Sequence, residues 1–131
     1  MKVLLVDDSR PARQFIKNTL SEINIGQAYD SYDFVEVETG EAALNMIQTR
    51  RIDIVFLDWN MNTEMTGLDV LKEIRKIEKF KNLPIIMVTS DGDKSRVIES
   101  LKYGANDYFV KPIDLKIFKE KISKIIRNIY A

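Results

Sequence analysis

Along the chain, solid apolar runs of strand length alternate with stretches whose apolar residues recur every three to four positions. Val3–Val6 (Val-Leu-Leu-Val), Ile54–Leu57 (Ile-Val-Phe-Leu) and Ile85–Val88 (Ile-Ile-Met-Val) hold no polar residue, the pattern of strands buried on both faces. Phe34–Val37 and Tyr108–Val110 are weaker strand signals. Helices are predicted over Arg13–Ile23 on Phe15, Ile16, Leu20 and Ile23, over Glu41–Arg50 on Ala43, Leu44 and Ile47, and over Leu68–Ile77 on Leu68, Leu71, Ile74 and Ile77. Two more are predicted over Ser95–Tyr103 and Leu115–Ile129, the latter with Leu115, Phe118, Ile122, Ile125, Ile126 and Ile129 on one stripe. Five strand-then-helix units imply an α/β fold, a doubly wound five-stranded parallel sheet covered by helices on both faces. The 131 residues contain no Pro-rich or Ser/Gly-rich linker and no internal repeat, so 1–131 reads as a single domain.

In such sheets ligands bind beyond the carboxyl ends of the strands. The first strand runs out into Asp7 and Asp8, the third into Asp58-Trp59-Asn60, the fourth into Thr89-Ser90 and the fifth into Lys111-Pro112. Any one of these is ordinary turn or helix-cap chemistry. Together, at the ends of successive strands, they form a constellation. Two like charges 4 Å apart at an effective dielectric of 20 repel by about 4 kcal/mol, so grouped carboxylates call for a cation. The chain has no His and no Cys, which excludes His triads, zinc sites, iron–sulfur clusters and thiol nucleophiles. Oxygen ligands with open positions suit a hard ion, Mg²⁺ completed by phosphate and water. Lys111 offers a point charge for a phosphoryl oxygen, and Thr89 offers a hydroxyl donor. Asp58 is left as a nucleophile able to form an aspartyl-phosphate, and phosphoryl transfer needs little beyond positioning and neutralised charge.

With these residues in place the chain resembles response-regulator receiver domains, most closely the single-domain chemotaxis (CheY) type. The resemblance rests on Leu-Leu-Val-Asp-Asp-Ser at Leu4–Ser9, Asp-Trp-Asn-Met at Asp58–Met61, Met-Val-Thr at Met87–Thr89 and Gly-Ala-Asn-Asp-Tyr-Phe-Val-Lys-Pro at Gly104–Pro112. It implies the flavodoxin-like strand order 2-1-3-4-5 and a two-component function, with Asp58 accepting a phosphoryl group from a sensor histidine kinase. By the same resemblance, Asp8, Asp58 and the backbone carbonyl of Asn60 would bind Mg²⁺, with Asp7 acting mainly through water. Thr89 and Lys111 would contact the phosphoryl group, and Tyr108 would be the switch aromatic that turns inward when Thr89 moves. Asn60 and Asp91 sit where family members tune self-dephosphorylation. Catalysis would be limited to autophosphorylation and self-dephosphorylation, so the chain is expected not to be an enzyme. Asn62 stands where the family has Pro, Met65-Thr66-Gly67 replaces Met-Asp-Gly, and Asp58–Gly67 is one residue longer than in the chemotaxis type. Those departures bear on the shape of this loop and the phosphate lifetime. Asn24–Asp33, with Tyr29 and Tyr32, is also long and carries no functional reading.

Three rivals share features. An FMN binder needs a phosphate loop after the first strand, where Asp7-Asp8 would repel the phosphate. A haloacid-dehalogenase-type phosphatase uses a nucleophilic Asp with Thr and Lys, but wants an acid where Asn60 stands and follows its first strand with the nucleophile. A degenerate receiver that only binds partners would not need the intact acid set. Net charge is zero, with 20 basic and 20 acidic residues, which argues against nucleic acid as a partner. Residues 1–65 hold 6 basic and 11 acidic residues (net −5), and residues 66–131 hold 14 and 9 (net +5). No run approaches the roughly 18 apolar residues of a membrane span, so a cytoplasmic monomer without a membrane partner is expected. Lys116, Lys119, Lys121, Lys124 and Arg127 lie opposite the last helix's apolar stripe. With the fourth helix and fifth strand they would form a partly basic output face, whose partner, by the resemblance, would be a flagellar-motor switch protein. Because the chain must turn at once from the fifth strand into a helix capped by Asp114, a cis Lys111–Pro112 bond is expected.

Overall fold

Successive strand residues point to opposite faces of a sheet, and here both faces are apolar. The computed structural model describes residues 1–23, 31–61 and 63–129. Strands β1 (Lys2–Val6), β2 (Asp33–Val37), β3 (Ile54–Leu57), β4 (Ile85–Thr89) and β5 (Asp107–Val110) form one sheet in the order β2-β1-β3-β4-β5, with every pairing parallel. Val3, Leu5, Ile54, Phe56, Ile86 and Val88 pack against Ile16, Leu20, Phe118, Ile122 and Ile126, from helices α1 (Arg10–Ser21) and α5 (Leu115–Ile129). The alternate residues Leu4, Val6, Val55, Leu57, Ile85 and Met87 pack against Ala43, Ile47, Leu68, Leu71 and Ile74, from α2 (Gly40–Thr49) and α3 (Gly67–Arg75). The predicted doubly wound α/β sheet is therefore observed, with its implied strand order. Asn62 and residues 24–30, including Tyr29, lie outside the described residues.

Several helix boundaries differ from the periodicity, and the caps explain why. Helix α1 begins at Arg10 because Ser9 accepts from the Ala12 amide at 3.3 Å and Pro11 occupies the first turn. Helix α3 begins at a capping box, Thr66 and Asp69 exchanging bonds of 3.2 and 3.0 Å. It stops at Arg75, short of Ile77, whose residue opens a 3₁₀ turn over Glu78–Phe80. The remaining helix, α4 (Lys94–Lys102), ends in a Schellman motif. The Gly104 amide bonds Leu101 at 3.1 Å and the Ala105 amide bonds Ser100 at 3.0 Å, with Gly104 at φ +99°, where a side chain would be strained.

Two stripe assignments are corrected. Phe15 and Leu115 are 39% and 42% exposed, so neither belongs to the buried stripe of its helix. Phe15 instead lines a cavity of about 300 Å³ with Ala12, Val88, Lys111, Pro112 and Ile113. Nor do all the lysines of α5 share a face. Lys119 pairs with Glu22 at the end of α1, whereas Lys121 reaches Asp107 of β5 at 3.9 Å. Residues three and four apart on a helix share a side, so Ile117, Lys121 and Lys124 form the flank that adjoins β5. The Lys111–Pro112 bond is cis, and Asp114 caps α5 through the Ile117 amide at 3.1 Å.

Candidate functional site

The chain leaves β1 toward β2 on one side, while β3 lies on the other, so a crevice opens at the carboxyl ends of β1 and β3. Ladder geometry carries both acids to it. The Asp7 amide bonds Val37 at 3.1 Å and the Asp58 amide bonds Val6 at 3.0 Å. Asp7 is fixed further by the Ser9 amide on Oδ1 at 2.8 Å and by Arg13 Nη1 on its carbonyl at 2.7 Å. Asp7, Asp8 and Asp58 each offer an oxygen within 4.8 Å of the others.

Asp7 and Asp58 are buried, at 4% and 8% exposure, so their charges cannot rely on water. Lys111 Nζ answers them from the end of β5, 3.2 Å from Asp7 Oδ2 and 4.0 Å from Asp58 Oδ2. Its amide ties to Thr89 of β4 at 2.9 Å. Burial lifts the Asp58 carboxyl above the ordinary carboxylate range, and the neighbouring charge of Asp7 adds to this. The Thr89 hydroxyl, Lys111 and the Asn60 amide oppose the rise by favouring the charged form. A buried carboxylate held against desolvation and like charge, with a lysine at hand, is poised to accept a cation or an electrophile. The donor set is oxygen only and fits a hard divalent ion such as Mg²⁺.

The loop after Asp58 turns back over the site. The Asn60 amide caps Asp58 Oδ1 at 3.3 Å, and the Gly67 amide bonds the Trp59 carbonyl at 2.7 Å. A Cβ on Gly67 would collide with the Asp58 carbonyl oxygen and stand 2.8 Å from Trp59 Cα, so only glycine fits there. Beside this loop Asn60 Nδ2 donates to Asp91 Oδ2 at 3.4 Å. Tyr108, half-buried on β5, donates its hydroxyl to the Asp91 carbonyl at 2.6 Å. Burial, then the charge of Asp91, pushes the Tyr108 phenol up to about 12, so it remains a neutral donor at physiological pH.

Asp7, Asp8, Asp58, Thr89 and Lys111 thus converge, with Asn60, Asp91 and Tyr108 in a second cluster at the rim. The roles of Arg96 and Arg13 were missed by sequence reasoning, and for Gly67 the motif was read but not the reason for glycine. Arg96 pairs with Asp91 and lies 5.0 Å over the Trp59 ring, and Asp91 preceding Arg96 by five residues was the available signal.

Residues 3–123 match the family described as response regulator receiver domain. The chain is 42% identical to chemotaxis protein CheY1 of Helicobacter pylori over 127 residues, covering 96% of this chain and 97% of that protein. It is 37% identical to chemotaxis protein CheY of Pseudomonas aeruginosa, covering 98% of each. Among solved structures, chemotaxis response regulator CheY4 of Vibrio cholerae superposes with a TM-score of 0.77 at 30% identity, covering 95% of this chain and 97% of that one.

Proposed function

The chain belongs to the response regulator receiver domain family, and on that premise we propose that Asp58 is its phosphoacceptor and a histidine kinase its donor. This family assignment displaces the FMN-binding and phosphatase readings. A receiver of this kind is a phosphoacceptor regulator, and similarity to CheY proteins supports an output in chemotaxis. The observation that carries the proposal is the meeting of three carboxylates within 4.8 Å with Lys111 Nζ 4.0 Å from Asp58.

In the proposed transfer an Asp58 oxygen bonds to the phosphorus of a phosphohistidine as the nitrogen–phosphorus bond breaks, leaving the donor's imidazole. Lys111 and the Thr89 hydroxyl stabilise the phosphoryl oxygens as charge moves onto them. Asp8, Asp58 and the Asn60 carbonyl would hold Mg²⁺ directly and Asp7 through water; when bound, the ion neutralises charge between the acids and the phosphoryl group. Displacement of Thr89 toward the phosphoryl group would free space for Tyr108 to turn inward, carrying the change to the face of α4, β5 and α5. That face exposes Ile98, Leu101 and Val110 beside Lys121 and Lys124, chemistry suited to an acidic amphipathic segment such as a flagellar-motor switch protein would supply. Among the described residues no helix is long and apolar enough to cross a membrane, and we propose a cytoplasmic monomer acting through residues 1–131 as one unit.

Intact-mass measurement after incubation with acetyl phosphate and Mg²⁺ tests this. We expect a gain of one phosphate in wild type, none in Asp58→Asn and none in excess EDTA. Undiminished labelling of Asp58→Asn, or labelling in EDTA, would overturn the assignment.

A further inference from the structure

The Asp91 side chain accepts three hydrogen bonds, two of them on Oδ2. Oδ1 accepts from the Asp93 amide at 3.1 Å, and Oδ2 accepts from Asn60 Nδ2 at 3.4 Å and from Arg96 Nη1. The backbone of the same residue joins Thr89 Oγ1 at 3.3 Å and the Tyr108 hydroxyl at 2.6 Å. Arg96 places its guanidinium 5.0 Å over the ring of Trp59, the residue next to Asp58. Asp91 is thereby neutralised by Arg96 and held in one orientation.

We propose that Arg96 is a positioning residue that locks Asp91 and Asn60 across the mouth of the Asp58 site, and so governs both entry of anionic phosphodonors and loss of the phosphoryl group to water. The inference rests on the reading of Asp58 as phosphoacceptor. Two consequences follow from charge and from hydrogen-bond capacity. With Arg96 in place the Asp91 charge is masked, and an incoming dianion meets less repulsion. With Oδ2 holding both Arg96 and Asn60, that oxygen has no lone pair left to orient a water beside Asp58. In the hydrolysis, the water oxygen bonds to phosphorus and the bond from phosphorus to the Asp58 oxygen breaks. Asp58 is released as carboxylate, and both protons of the water leave on dihydrogen phosphate. A carboxylate freed to accept a hydrogen bond from that water assists the attack. Arg96 therefore acts as a brake on dephosphorylation and an aid to phosphorylation. A merely structural contact would change neither rate selectively.

The test uses the full chain, acetyl phosphate and Mg²⁺, in wild type, Arg96→Ala, Arg96→Lys and Asp91→Asn. For Arg96→Ala the half-saturating acetyl phosphate concentration should rise about two- to fivefold with the maximal rate unchanged, the scale of one half-exposed ion pair. Phosphate loss after donor removal should quicken by a similar factor. Arg96→Lys should restore donor entry but only part of the slow phosphate loss, since it keeps the charge and not the planar guanidinium. Adding Asp91→Asn to Arg96→Ala should remove the acceleration, the non-additivity expected of residues in contact. Trp59 is the only tryptophan, so its emission reports whether the Arg96 contact has been lost. Unchanged half-saturation and unchanged phosphate loss in Arg96→Ala, with Trp59 emission altered, would overturn the inference. Labelling that persists in Asp58→Asn would instead overturn the phosphoacceptor reading, and the two failures are told apart by mass alone.

Discussion

At Asp58 the needs of the fold and of the site conflict. Its folded carboxyl titrates above its ordinary value, chiefly from burial and then from Asp7, so protonation favours the folded state. That contribution is intact below the unfolded pKa of about 3.9 and is lost as pH rises through the folded value. Without metal, then, wild type should lose ground to Asp58→Asn as pH rises from about 4 toward 7. We expect the variant to melt a few degrees higher at neutral pH, on the order of 1 kcal/mol for a domain of this size. At pH 3 the two should converge. Mg²⁺ should raise the wild-type Tm in a concentration-dependent way, as any ligand of the native state does, and raise that of Asp58→Asn less. Thermal melts at three pH values, with EDTA or Mg²⁺, check this. A variant less stable than wild type at pH 7 in EDTA would mean that Asp58 has a structural partner worth more than its burial costs.

Elements, unlike single residues, were largely legible. The apolar runs at Val3–Val6, Ile54–Leu57 and Ile85–Val88 gave the central strands because a strand buried on both faces tolerates no polar residue. The residues at their carboxyl ends could be read as one site because parallel order forces those ends to one edge. Helix starts were less legible. The apolar stripe of α1 begins at Phe15, which predicts a helix from Arg13, but its hydrogen bonding begins earlier, set by Ser9 and Pro11, which the stripe does not contain. The contact of Arg96 with Trp59 and the surroundings of Phe15 involve neighbours far apart in sequence, which periodicity does not report. Gly67 is intermediate: its motif was visible, but the reason for glycine was not. The first residue of α3 presses on the backbone of Asp58 and Trp59, and backbone atoms cannot yield as side chains do. Gly67→Ala should therefore destabilise the fold by roughly 2 kcal/mol or more and weaken Mg²⁺ binding together with it, by displacing Asp58. Isothermal titration with Mg²⁺ alongside a urea melt tests both, and an Ala variant of native stability and metal affinity would show that α3 can shift freely.

Across the whole molecule, the strands of the two halves of the sequence stand on two sides of the sheet. Strands β2, β1 and β3 come from the first 57 residues and stand together, while β4 and β5 come from the second half and stand on the other side. Residues 1–65 carry net −5 and residues 66–131 net +5. The basic part holds the α4, β5 and α5 face, whose exposed Ile98, Leu101 and Val110 offer apolar contact between the charges. Tyr108 links that face to the site, bonding Asp91 at the mouth while standing on the edge strand. A partner reading the phosphorylated state should therefore be drawn by charge and discriminated by Tyr108. Binding of an acidic amphipathic peptide or a candidate switch protein, measured with and without beryllofluoride as phosphoryl mimic, separates the two roles. Lys124→Glu should weaken binding severalfold in both states and flatten its salt dependence, since exposed charges act mainly through screened attraction. Tyr108→Ala should leave the resting affinity nearly unchanged and remove most of the gain on activation. A full gain in Tyr108→Ala, together with salt-independent binding in wild type, would place the readout on another face.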